Sequence, residues 1–194
     1  MRMASLAATL LWLWPSTVFA QAYPIPFEAA VGLGVLNDHS LSQWAPTLVG
    51  AFSWDYDENW WAVLVVEGEF SATSEAEPCQ RSSGDASANC VDAAVLGGLR
   101  FRQTPHASSG MRPFAHVLLG NYWKGSGTDE QEFISDHFAT QVGGGVEIRW
   151  AESIQGVRMS VDFRRVFAGD RGRNQVRFLC AYVIGPRRFT RRPG

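Results

Sequence analysis

Charged residues stand at alternate positions inside stretches whose remaining positions are apolar. In Val146-Glu147-Ile148-Arg149-Trp150 the rhythm is strict, and Val157 to Arg164 (VRMSVDFR) and Val95 to Arg102 (VLGGLRFR) repeat it. A strand points successive side chains to opposite faces, so such segments have one apolar face and one carrying carboxylates and guanidinia. About eight segments of roughly ten residues read this way, too many for a flat sheet with one wet face. Burying paired charges in a dry core is costly. A closed barrel that is apolar outside and polar inside resolves the conflict, and its natural solvent is a lipid bilayer. The expected fold is all-β: an eight-stranded antiparallel up-and-down transmembrane β-barrel.

Strands are expected over Phe27–Leu36, Thr47–Trp54, Trp60–Ser71, Val91–Gln103, Arg112–Trp123, Phe138–Trp150, Val157–Phe167 and Gln175–Gly185, each bounded by Gly, Pro, Asn, Asp or Ser. The odd-numbered connections are then about ten, nineteen, fourteen and seven residues long, and the even ones about five, eight and six. Longer odd connections place them outside the cell and the even turns in the periplasm. Trp54, Tyr56, Trp60, Trp61 and Trp150 fall beside the even turns, and Trp44, Tyr122, Trp123 and Phe167 at the opposite strand ends. Amphipathic rings at both rims form the girdle expected at the headgroup layers.

Parity assigns the faces. The lipid set includes Val31, Leu33, Leu64, Val66, Val117, Val142, Met159, Val161 and Phe163. The lumen set holds Glu28, Glu67, Glu69, Arg100, Arg102, His116, Gln141, Glu147, Arg149, Arg158, Asp162, Arg164 and Arg177. Pairing between adjacent strands is expected to join Glu67/Glu69 to Arg100/Arg102, and Glu147/Arg149 to Arg158, Asp162 and Arg164. Eight strands enclose a space that side chains fill, so this network is expected to plug the barrel.

Export is expected from the first twenty residues. Arg2 precedes an apolar run from Leu6 to Trp14, Pro15 breaks it, and small residues at Val18-Phe19-Ala20 suit cleavage between Ala20 and Gln21. The overlapping site Ala20-Gln21-Ala22 satisfies the same rule. That run is too short to span a bilayer, and no later stretch of eighteen apolar residues occurs. The organisation expected is a signal over 1–20, a barrel domain over 21–186 and a short basic tail over 187–194. Cys79 and Cys90 bracket a polar stretch and suit a disulfide in an oxidising compartment, whereas Cys180 lies in an apolar segment. A formal charge of -2 gives no basic field for nucleic acid. Gly143-Gly144-Gly145 fits no phosphate-cradling motif and reads as relief of crowding, and neither a metal nor a cofactor is expected.

In these features the chain resembles the small eight-stranded outer-membrane β-barrels, the superfamily of the OmpA transmembrane domain and OmpX. The residues that carry the resemblance are the signal, the eight dyad strands, Phe138 to Trp150, and Val161 to Phe167. It implies an integral outer-membrane protein of a Gram-negative-type cell, monomeric and without cofactor, whose surface loops recognise a ligand or a host protein. One departure is that Pro186 to Gly194 follows the last strand, where members of the superfamily usually end on an aromatic residue. Two other functions compete. An outer-membrane acyltransferase or hydrolase needs a nucleophile with a positioned base, and His39 and His137, beside Asp38, Ser40, Ser135 and Asp136, are the loop residues from which to build one. A soluble periplasmic barrel of lipocalin type needs the inverse parity, with an apolar cavity and a polar exterior.

Overall fold

Hydrogen bonding closes on itself. In a computed structural model that describes residues 27–39, 43–54, 61–73, 90–102, 111–126, 133–150, 155–168 and 172–185, eight strands follow one another around a barrel. They are β1 (Phe27–Asp38), β2 (Gln43–Trp54), β3 (Ala62–Thr73), β4 (Cys90–Arg102), β5 (Met111–Ser126), β6 (Phe133–Arg149), β7 (Gln155–Phe167) and β8 (Arg173–Ile184). Every neighbouring pair is antiparallel, and β1 pairs with β8 from Ala29↔Ile184 to Asp38↔Gln175, so the sheet has no free edge. Among the described residues no helix is long and apolar enough to cross a membrane.

The connections depart from expectation. Between the strands they are 4, 16, 6 and 5 residues long at the odd positions and 7, 8 and 5 at the even ones. Only the β3–β4 connection (74–89) keeps the expected contrast. The cause is the limit of a hydropathy signal. Apolar alternation marks only the stretch of a strand whose outward face is apolar, whereas the backbone ladder is indifferent to polarity and runs on through Asn121 to Lys124 and Asp136 to Phe138. The end bearing the odd connections is called the loop end below, and the other the turn end.

Side-chain direction follows the sequence parity on each strand to which the sequence assigns a face. Leu33 is 70% exposed and Val161 50%, while Arg164, Asp162 and Arg177 are each 1% exposed. The interior is not all polar, however. Val63, Val65, Ala94, Leu96, Leu118, Tyr122, Ala139 and Val166 form an apolar cluster inside the barrel. Along β3 the run Ala62-Val63-Leu64-Val65-Val66 is apolar on both faces, so alternation is silent there and gives no sign that this sector of the lumen is dry.

Candidate functional site: a charge-filled lumen

Two tiers of ion pairs fill the other sector. Toward the turn end, Glu28 on β1 accepts from Arg149 on β6, from Arg158 on β7 and from Ser53 Oγ at 3.1 Å, with Arg100 of β4 at 3.5 Å. Glu147 takes Arg149 Nε at 2.6 Å and Arg158 Nη2 at 2.5 Å. Arg100 and Arg158 carry like charges, and the Phe114 ring lies beneath both, 5.3 and 5.5 Å from their guanidinium carbons. An aromatic face is the one apolar surface that attracts cations, so it can separate two guanidinia without repelling either.

The central tier is knit more tightly. Arg177 of β8 reaches Glu67 at 2.7 Å, Glu69 at 2.5 Å and Asp162 at 2.6 Å. Arg164 of β7 grips Glu69 in a bidentate fork, Nη1 at 3.0 Å and Nη2 at 2.6 Å, and also donates to Gln141 Oε1. Gln141 in turn donates to Glu67 Oε1 at 3.2 Å, and His116 Nε2 stands 3.0 Å from Asp162 Oδ1. Planar forks with two or three carboxylate partners are what arginine offers and lysine does not. Across the two tiers five carboxylates (Glu28, Glu67, Glu69, Glu147, Asp162) meet five guanidinia (Arg100, Arg149, Arg158, Arg164, Arg177). Their formal charges cancel, as a low-dielectric interior requires.

The expected pairing between adjacent strands is half corrected. Glu147 does face Arg158 in register, but Asp162 and Arg164 lie opposite Gly143 and Gln141 of β6, and Asp162 pairs with Arg177 of β8, which was not expected. Glu67 and Glu69, however, lie opposite Leu96 and Ala94. Their close ion pairs run across the lumen instead, to Arg164 of β7 and Arg177 of β8. Arg102, which is half-buried, lines the turn-end mouth with Arg112. Gly143 explains part of the glycine run, because a Cβ there would lie 2.0 Å from Asp162 Oδ1 and 2.9 Å from His116 Nε2.

Small cavities lie among these residues. One cavity of about 10 Å³ is bounded by Glu67, Arg100, His116, Arg158 and Ser160, and another of about 10 Å³ by Glu28, Arg100, Arg102, Arg112 and Glu147. Each has room for a body the size of one water.

No family model matches the chain, and no curated protein matches it. Among solved structures, Neisserial surface protein A (NspA) superposes with a TM-score of 0.63 at 7% identity, covering 82% of this chain and 95% of that one. The outer membrane enzyme PagL gives 0.49 at 14% identity, covering 80% and 98%, and the attachment invasion locus protein Ail of Yersinia pestis 0.46 at 8%, covering 81% and 96%. This is the fold of the small eight-stranded outer-membrane barrels.

In this barrel the residues expected to form a girdle divide. Trp44, Trp54, Trp61 and Trp150 are exposed on the wall, and aromatic contacts join Trp61 to Phe101 and Trp150 to Tyr182 at the turn end and Phe138 to Phe167 at the loop end. Trp123 is half-buried on the same face. Tyr122 is a correction: it is 1% exposed and packs in the lumen, because it shares the parity of His116 and Leu118. Trp60 and Tyr56 lie outside the described residues, as do the signal with Ala20 and Gln21, the tail over 187–194, His106, Ser40 and Cys79; Cys90 is described by its backbone alone. Cys180 is a free thiol exposed on the wall. His39 directly follows β1 and His137 sits in β6 opposite Tyr122, whereas His116 is held in the central tier.

Proposed function

We propose that the chain is an integral outer-membrane protein whose barrel is a closed scaffold and whose surface connections do the recognising, by adhesion to a ligand or a protein partner. One observation carries this reading: the polarity of the barrel is inverted, with large apolar side chains 37–70% exposed around the wall and ion pairs buried within. An apolar exterior of this size is stable only against hydrocarbon. The filled lumen supports a structural role for the interior, and the proposal gives recognition to the connections at the loop end, above all the 16 residues between β3 and β4. A sheet without free edges favours a monomer. The inverted parity also disfavours a soluble ligand carrier, whose exterior is polar.

The same reading takes residues 1–20 as an export signal, 21–186 as the barrel, 187–194 as a basic tail, and Cys79–Cys90 as a disulfide beside the β3–β4 connection. Cell fractionation followed by gel mobility of unboiled and boiled samples tests the assignment. Recovery in outer membranes with heat-modifiable mobility is expected, with a chain that begins at Gln21 and a Cys79–Cys90 peptide pair when mapped without reductant. Recovery as a freely soluble periplasmic protein would contradict it.

A further inference from the structure

Outward positions alternate with lumen positions along all eight strands, and among the described residues only two of the outward ones bear a formal charge. They are Asp136 on β6 and Arg165 on β7. Every other charged side chain of the strands has lumen parity. A guanidinium on the wall of a membrane barrel therefore needs its own account, since charge facing lipid is destabilising except close to the headgroups.

Three observations place this guanidinium at a headgroup level. Arg165 lies directly across from Thr140 on one side and Asn174 on the other, and its Nη1 donates to Asn174 Oδ1 at 2.7 Å. Two residues further toward the loop end, Phe167 faces Phe138 with ring centroids 5.8 Å apart. The arginine side chain climbs toward that aromatic pair, because a Cβ at Gly172 would lie 2.7 Å from Arg165 Nε and 2.8 Å from Nη2. Arg173 is paired with Val166, so Gly172, the residue before it, stands near the level of Phe167. The glycine leaves the room that lets the charged head snorkel upward by about 7 Å, two residues of strand rise. Among the described residues no carboxylate forms an ion pair with Arg165, whose hydrogen-bond partner Asn174 is a neutral amide. Below it the wall continues apolar through Val142, Val161, Phe163, Val176 and Phe178.

We infer that Arg165 marks a seat on the outer wall for an anionic lipid of the loop-end leaflet, with the lipid phosphate on the guanidinium and the acyl chains against Val142, Val161, Phe163 and Val176. The inference rests on the membrane reading above. A guanidinium fork matches a phosphate in shape and charge, and the aromatic pair beside it is suited to the same interfacial depth. Thr140 adds a hydroxyl on the flank. The occupant is a lipid of the bilayer itself and not free phosphate, because the charged head and the apolar wall beneath it are one continuous surface.

Native mass spectrometry of the full chain released from mixed phosphatidylglycerol and phosphatidylcholine vesicles tests this, with heat-modifiable gel mobility run on each sample. Phosphatidylglycerol is expected to stay bound in about tenfold preference, the effect of one charge-assisted contact. Arg165→Met is expected to abolish the preference while the barrel remains heat-modifiable. Gly172→Val keeps the charge but displaces it, and is expected to weaken the preference. A wild-type barrel that inserts but shows no preference, or an Arg165→Met barrel that keeps it, overturns the seat. Competition by inorganic phosphate at millimolar concentration would overturn the lipid as occupant. A chain that stays outside the vesicles contradicts the membrane reading itself, and with it the seat.

Discussion

Arg177 illustrates why single charges matter in this lumen. It is 1% exposed and is the common partner of Glu67, Glu69 and Asp162. Replacing a whole buried ion network with apolar groups can be neutral, but deleting one member strands the others without water. Arg177→Met is therefore expected to cost about 3–5 kcal/mol of barrel stability, read as a lower denaturant midpoint in lipid vesicles. A loss below about 1 kcal/mol would show that the network is wet or can rearrange. Sequence parity identifies which charges enter the lumen, since that depends only on counting by twos. It does not identify partners. Glu69 faces Ala94 in register and finds Arg164 and Arg177 across the barrel, a pairing set by barrel closure and by the reach of an arginine side chain.

At the scale of the strand, β7 is the clearest case of a segment readable in advance. Its exposed and buried positions alternate from Gln155 to Phe167, with Met159, Val161 and Phe163 outward and Arg158, Asp162 and Arg164 inward. Val161→Arg puts a charge on the outward face midway along that strand, and is expected to destabilise the barrel by about 2–4 kcal/mol in a bilayer. A negligible change in the folding midpoint would mean that Val161 does not face hydrocarbon. β5 and β6 were less legible because their ladder continues past the apolar pattern to Ser126 and from Phe133. On β3 and β4, Val63, Val65, Ala94 and Leu96 fill the lumen as apolar side chains, and alternation cannot signal a face when both faces are apolar. Tyr122 belongs to the same blind spot. An aromatic residue at a strand end reads as girdle, but parity with His116 turns it inward.

The whole molecule is organised by one inversion: charge inside, hydrocarbon-compatible side chains outside, and closure through β1 and β8 so that no backbone edge meets lipid. The balanced tiers fill the lumen beside water-sized cavities, and the proposed scaffold role, with recognition by the loop-end connections, builds on that filling. Cys180 offers the most direct test of the inversion, because it is a free thiol exposed on the β8 wall between Phe178 and Tyr182. A nitroxide attached to Cys180 in protein reconstituted into bilayers reports its own solvent through collisions with oxygen, which concentrates in lipid, and with a water-soluble nickel complex. High oxygen accessibility and low nickel accessibility are predicted. The opposite ranking would place that wall in water and contradict the membrane barrel.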